Sequence, residues 1–178
     1  MRHAILLRGI NLGPTNRISM SGLREALGRR GFEEPRTYLQ SGNVVVDSGL
    51  VPTALEQAVA SVIAEDFGLE IPVLAITAPA LAAVVEENPY RSQAEADPTR
   101  VHAMFTQPMP PAATLGAIET DRYRPEEFSP GPGVIYLHLP NGMGRAKLPE
   151  ALSRVAAAST VTVRNWRTVE ALAAMVGD

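Results

Sequence analysis

Cysteine is absent from the 178 residues. That removes disulfides, thiolate nucleophiles and zinc–thiolate centres together. Lysine is almost absent: of the 16 basic residues only Lys147 is a lysine, and the others are arginines. Aromatic residues are 5% of the chain. Tyr38, Phe105 and Tyr136 are scattered, and the glycine–aromatic signature of an RNA-binding sheet is missing. No apolar run approaches the roughly 20 residues needed to cross a bilayer. The opening MRHAILLRGI is too short an apolar run for a secretion signal, and Arg8 interrupts it. The expected compartment is the cytoplasm, with no membrane partner. Acids outnumber bases, 19 to 16, for a net charge of −3. A non-specific coat for nucleic acid does not fit that balance, so any such role needs a local basic patch.

Several catalytic devices are missing too. GINLG (9–13) is not a phosphate loop, because no GK[ST] follows. GMGRAK (142–147) lacks the third glycine of a dinucleotide turn. No G-x-S-x-G elbow occurs. His3, His102 and His138 each fall inside an expected strand without a companion at ligand spacing, so neither a metal nor a cofactor is expected. The acid pairs Glu33–Glu34, Glu86–Glu87 and Glu126–Glu127 lie at element ends and read as solvated.

What is present is a regular succession of elements. HAILLR (3–8) reads as a buried strand. Met20, Leu23 and Leu27 lie on one face of a helix over 19–30, with Gly31 and Phe32 as its glycine stop. RTYL and NVVVD are strands joined by a hairpin at QSG, where Gly42 needs positive φ. A helix over 54–67 carries Leu55, Val59, Val62, Ile63 and Phe67, with Thr53 and Glu56 spaced as a capping box. IPVLAIT (71–77) closes a β-α-β-β-α-β series. After a short helix over 79–87 and a linker-like stretch, the order repeats. VHAMFTQ, PAATLGAIE, EEFS, VIYLHLP, a helix near Pro149 and TVTV (160–163) follow in turn. A last helix from about 165 bears Val169, Leu172, Ala173 and Val176. The predicted fold is α+β, with two ferredoxin-like halves built on antiparallel sheets. The expected boundaries are 1–77 for the first half, 78–100 for a helical linker, and 101–178 for the second half with its C-terminal helix.

The candidate site is a basic set at element ends. The stretches 6–19, 36–43, 144–147 and 162–168 contain no acid. They supply arginine forks, amides and glycines, the groups that hold an anion. The residues expected to bind are Arg8, Asn11, Arg36, Ser41, Asn43, Lys147, Arg164, Asn165 and Arg167. Asn165 also suits the cap of the last helix, beside which Arg164 and Arg167 would stand. Two readings stay open. In one, Arg8 and Asn11 face a ligand, and the opening block meets the RNWRT block around it. In the other they form a structural lock, tying the loop to the QSGN hairpin or to the second half, while Trp166 plugs the core.

The blocks LLRGINLG, NRISMSGLREAL, RTYLQSGNVVV and TVRNWRTV resemble the bacterial family known as domain of unknown function 1697. The resemblance implies two ferredoxin-like halves and no assigned activity. Pro149 and Glu150 depart from it, where relatives often carry Thr-Asn. The expected function is therefore binding of a small phosphate- or carboxylate-bearing ligand in a basic cleft, with or without catalysis. The alternatives are an RNA-binding module and a ligand-free interaction scaffold.

Overall fold

The structure, a computed structural model, describes residues 1–177. It is a mixed α+β architecture with two four-stranded antiparallel sheets, consistent with two repeated halves. The first half runs β1 (Arg2–Leu7), α1 (Met20–Arg29), β2 (Glu33–Tyr38), β3 (Asn43–Asp47), α2 (Pro52–Phe67) and β4 (Val73–Thr77), with sheet order β2-β3-β1-β4. Two short helices follow, α3 (Ala78–Glu86) and α4 (Arg91–Ala96). The second half runs β5 (Val101–Gln107), α5 (Ala112–Gly116), β6 (Glu127–Gly131), β7 (Val134–His138), α6 (Leu148–Val155) and β8 (Thr160–Asn165), with sheet order β6-β7-β5-β8. The last helix is α7 (Trp166–Gly177). Strands 101–107 and 134–138 are neighbours, as the element order predicts.

The first core forms where the period-2 face of the sheet meets the period-3.6 faces of two helices. Ile5, Leu7, Val44, Val46 and Val73 pack with Leu23 and Leu27 of α1 and with Leu55, Val59 and Ile63 of α2. Helix α1 starts on Ser19, whose Oγ accepts the Gly22 N–H at 2.9 Å. It ends in a Schellman motif: Phe32 N–H donates to Leu27 O, Gly31 N–H donates to Gly28 O, and Gly31 has φ +85°. The second core packs Met104, Ile135 and Leu137 against Leu115 of α5 and Leu148 and Leu152 of α6.

The expected capping box of α2 does not form. The helix begins two residues earlier, at Pro52, with Val51 as a cap that makes no side-chain hydrogen bond. Proline suits a first-turn position because it has no N–H to satisfy there. Glu56 turns instead to the edge strand β4, where its Oε1 accepts the Ala75 N–H at 2.9 Å, and burial raises its pKa. Gly68 stops the helix at φ +66°.

Contacts divide the described residues into one unit of 1–82 with 171–177, and another of 83–170. This division differs from boundaries at 77 and 100, and residues 78–82 group with the first unit. Residues 83–100 group with the second unit, because Val84 and Tyr90 bond and pack within it. Residues from Ala171 onward group with the first, where Arg36 Nη2 donates to Met175 O at 2.5 Å. No helix among the described residues is long and apolar enough to cross a membrane.

Candidate functional site: the loop after the first strand

Strand β1 lies between β3 and β4, so the loop that leaves it begins at the middle of a sheet end. The loop is fastened from its first residue. Arg8 N–H donates to Pro72 O at 3.0 Å, and Leu7 N–H to Gly42 O at 2.8 Å. Ile10 and Ile18 are buried at its two ends. Between them Asn11 takes φ +55°, which asparagine tolerates better than most residues. Its Nδ2 donates to Ile18 O (2.9 Å) and to Gln40 O (2.8 Å), and its Oδ1 accepts the Ile18 N–H (3.0 Å). All three bonding functions of one amide hold the loop closed and join it to the hairpin.

The hairpin is built as tightly. The loop between β2 and β3 is residues 39–42, with Leu39 at φ +57° and Gly42 at φ +80°. Leu39, expected as the end of a strand, is instead a turn residue and exposed. A Cβ at position 42 would lie 2.8 Å from Leu7 Cβ and 2.9 Å from Ile10 Cδ1. Asn43 is fully buried, and its Nδ2 donates to Tyr38 O and to Ser41 Oγ. The structural lock foreseen for Asn11 is therefore present, and Asn43 forms a second. What the paired loops present outward is Arg8, Arg17, Leu12 (84% exposed) and Leu39 (56% exposed). No acid occurs in 8–18 or 39–43. Among the described residues neither Arg8 nor Arg17 has an ion-pair partner.

The other expected residues have different settings. Arg36 stands on β2 opposite Val45, and its bond to Met175 O places a cation at the negative end of α7. It lines a cavity of about 460 Å³ with Arg2, Glu33, Glu34 and Asp47, so its surroundings are not acid-free. Another cavity, about 630 Å³ beside Gly31 and Ser48, is lined by none of the nine. Lys147 is exposed at the start of α6. Its N–H and that of Leu148 both donate to the Glu126 carboxylate, the latter at 2.7 Å. Glu126 is thus not a solvated end residue. It is the anion at this helix start, supplied by the chain itself.

Strand β8 runs on to Asn165, two residues beyond TVTV, so Arg164 lies within the strand opposite Ala103. It is buried, and its Nη1 donates to Thr162 Oγ1 (2.7 Å) and Val163 O (2.9 Å). Burial lowers its pKa to about 10, which leaves it charged at neutral pH. Asn165 caps α7 as expected, accepting from Thr168 N–H (3.0 Å) and Thr168 Oγ1 (2.9 Å). Trp166 is buried, with its ring 6.3 Å from that of Tyr136, and Arg167 is exposed. Arg8, Asn11, Ser41 and Asn43 come together in the first unit, while Lys147, Arg164, Asn165 and Arg167 belong to the second. Sequence reasoning missed the exposed Leu12 and Leu39 and the role of Glu126. Only the asparagines gave a signal, through their tolerance of positive φ at 11 and 16.

Residues 1–136 match the family described as Protein of unknown function (DUF1697). The chain belongs to this family. The DUF1697 match takes in the locked loops and ends before the 144–147 and 162–168 stretches. No curated protein matches the sequence. Among solved structures, the conserved bacterial protein SP0830 from Streptococcus pneumoniae is similar to this DUF1697 protein. The TM-score is 0.74 at 22% identity, over 99% of this chain and 98% of that one. At that identity the likeness speaks for the fold alone.

Proposed function

We propose that this DUF1697 protein binds a small anion, a phosphate- or carboxylate-bearing molecule, on the paired loops 8–18 and 39–42. The observation that carries the reading is the Asn11 lock, which holds two loops rigid while Arg8 and Arg17 stand outward with no acid in either loop. A fixed backbone with three non-glycine residues at positive φ, Asn11, Asn16 and Leu39, stores strain of the kind that collects at binding sites. In this reading Arg8 and Arg17 are the donors, and Asn11, Ser41 and Asn43 shape the surface. Arg36, Arg164 and Asn165 serve the fold instead. Lys147 and Arg167, in the second unit, are not required.

Each half is read as ferredoxin-like, supported by the β-α-β-β-α-β order and by equivalent strand orders in the two sheets. The absence of cysteine supports a cytoplasmic setting. RNA lying on an open sheet is the weaker reading, because both faces of the sheets are buried. Ala4, Leu6 and Val45 are as inaccessible as Ile5 and Val44, and the aromatics Phe105 and Tyr136 are buried as well.

The test is thermal denaturation with inorganic phosphate, sugar phosphates, nucleotides and short RNAs. One class of small anion should raise the melting temperature, and Arg8→Ala should erase that rise without lowering the melting temperature of the free protein. Stabilisation by none of these, or by RNA alone, refutes the reading.

A further inference from the structure

We propose that the anion taken by the paired loops is the headgroup phosphate of a lipid, and that the loops dock this DUF1697 protein on an anionic bilayer surface. The inference rests on the reading of Arg8 and Arg17 as anion donors and adds the apolar part of what they meet.

Two hydrogen bonds lay out the surface. Asn16 Nδ2 donates to Gly9 O at 3.3 Å, and the residues flanking that bond are Arg17 and Arg8. Asn11 Nδ2 donates to Gln40 O at 2.8 Å, and flanking that one are Leu12 and Leu39. All four flanking side chains are exposed. One cross-link therefore carries a pair of guanidinium forks and the other a pair of leucines. The Asn11 N–H, donating to Asn16 O at 3.1 Å, joins the two.

Leu12 is 84% exposed, more than any other large apolar side chain among the described residues. A leucine on a slack loop escapes water by folding back onto its own protein. This one is denied that course. Asn11, next to it, is fixed at φ +55° by the lock, and the buried Ile10 and Ile18 pin the loop at both ends. Leu39 is held at φ +57°, a conformation rare for leucine. Apolar side chains kept in water by a strained, closed backbone mark a surface that something apolar covers.

The cover must be anionic and apolar at once. A free phosphate satisfies the forks and leaves both leucines wet. A bilayer offers phosphates at its surface and acyl chains beneath them. Residues 8–18 and 39–42 line neither the cavity of about 630 Å³ nor that of about 460 Å³, so they meet their partner as an outward ridge rather than a hollow. A ridge suits a broad, yielding surface. Two arginines and two leucines make a reversible contact, weaker than an anchor built from a lipid chain and a polybasic patch. The expectation of no membrane partner concerns spanning segments, and a peripheral contact needs none.

The full chain is sedimented with vesicles of pure phosphatidylcholine and with vesicles of equal parts phosphatidylcholine and phosphatidylglycerol. It should partition onto the mixed vesicles only, and raised salt should release it. Leu12→Ser should weaken that partition about tenfold, and Arg8→Gln about fivefold. Both positions are exposed, and an unchanged melting temperature checks that each variant folds. No binding to the mixed vesicles, equal binding to neutral ones, or an affinity indifferent to Leu12→Ser overturns the proposal. So does binding to poly-glutamate in place of vesicles, which would make the partner an acidic protein. If inorganic or sugar phosphate still stabilises the protein through Arg8 while vesicles do not bind, the lipid inference alone falls. If vesicle binding needs Leu12 but not Arg8, the anion reading falls with it.

Discussion

Where the first sheet sets Ile76 beside Ala4, the second sets Arg164 beside Ala103. The rest of this cross-strand column differs as well. In the first half it continues through Val45 to Arg36, and in the second through Tyr136 to Ser129. In each half a polar side chain of the column holds the end of a helix, but from a different strand. Arg36 on β2 reaches Met175 O, and Tyr136 on β7 donates to Val84 O at 3.0 Å. Other positions stay fixed. His3 and His102 are both the second residue of the central strand, both buried, and both followed by a fully buried alanine. Each final strand ends in the cap of the next helix, Thr77 Oγ1 accepting from Ala80 N–H and Asn165 Oδ1 from Thr168 N–H. The backbone plan and its caps are repeated while the chemistry has moved. The first half carries Arg8 and Arg17 outward on a locked loop, and the second buries Arg164, hydrogen-bonded, in the sheet.

The hairpins give the largest test of this contrast. Gly42 and Gly133 both have positive φ, but a Cβ at 42 strikes Leu7 and Ile10, whereas at 133 nothing lies within 4 Å. Gly42→Ala should destabilise by about 3 kcal/mol, from backbone strain and overpacking together. Gly133→Ala should cost only about 1 kcal/mol, the strain alone. Urea denaturation measures both, and equal losses would show that the first hairpin is no more tightly packed than the second.

Arg164 comes next. Arg164→Ala leaves a void and removes charge-assisted bonds to Thr162 and Val163, at about 2–3 kcal/mol. Arg164→Ile copies the first half, fills the space and removes a buried charge, so it should lose clearly less. A loss from isoleucine as large as from alanine would mean that the guanidinium, and not the volume, is what the second sheet requires.

The smallest effect separates the histidines. Burial lowers the pKa of both, and that of His102 to about 4. The folded state therefore resists a proton that the unfolded chain accepts near pH 6.5. His102 contributes its full stability above that pH and loses it as the pH falls toward 4. The loss should reach about 2 kcal/mol by pH 5. NMR titration should find the His102 ring neutral at pH 5, and His102→Phe should flatten the decline in stability between pH 7 and 5. An imidazole titrating at its ordinary value would refute the burial argument.

Much of the element order could be read in the sequence, because it depends on local pattern. The stripe of Leu55, Val59 and Ile63 and the stops at Gly31 and Gly68 act within a few residues of themselves. Apart from the turn at Leu39, the failures below were non-local. Thr53 and Glu56 have the spacing of a capping box, yet Pro52 starts the helix and Ala75, 19 residues away, takes the carboxylate. Glu126 caps a helix that begins more than 20 residues later. The end of β8 depends on pairing with β5, which carries the strand through Arg164 and Asn165. In the candidate site, the tie made by Asn11 and the turn at Gly42 were readable. The burial of Arg164 was not, because polarity alone does not tell which face of a strand is covered.

The grouping of residues from Ala171 onward with the first unit sets an order of events during synthesis. Residues 1–82 leave the ribosome first, but the Met175 carbonyl that receives Arg36 is made only after every strand of the second sheet. That contact must wait for about a hundred further residues, some 5–20 s at ordinary rates of translation. The unit whose sheet is made first is thus the one completed by α7, the helix made last.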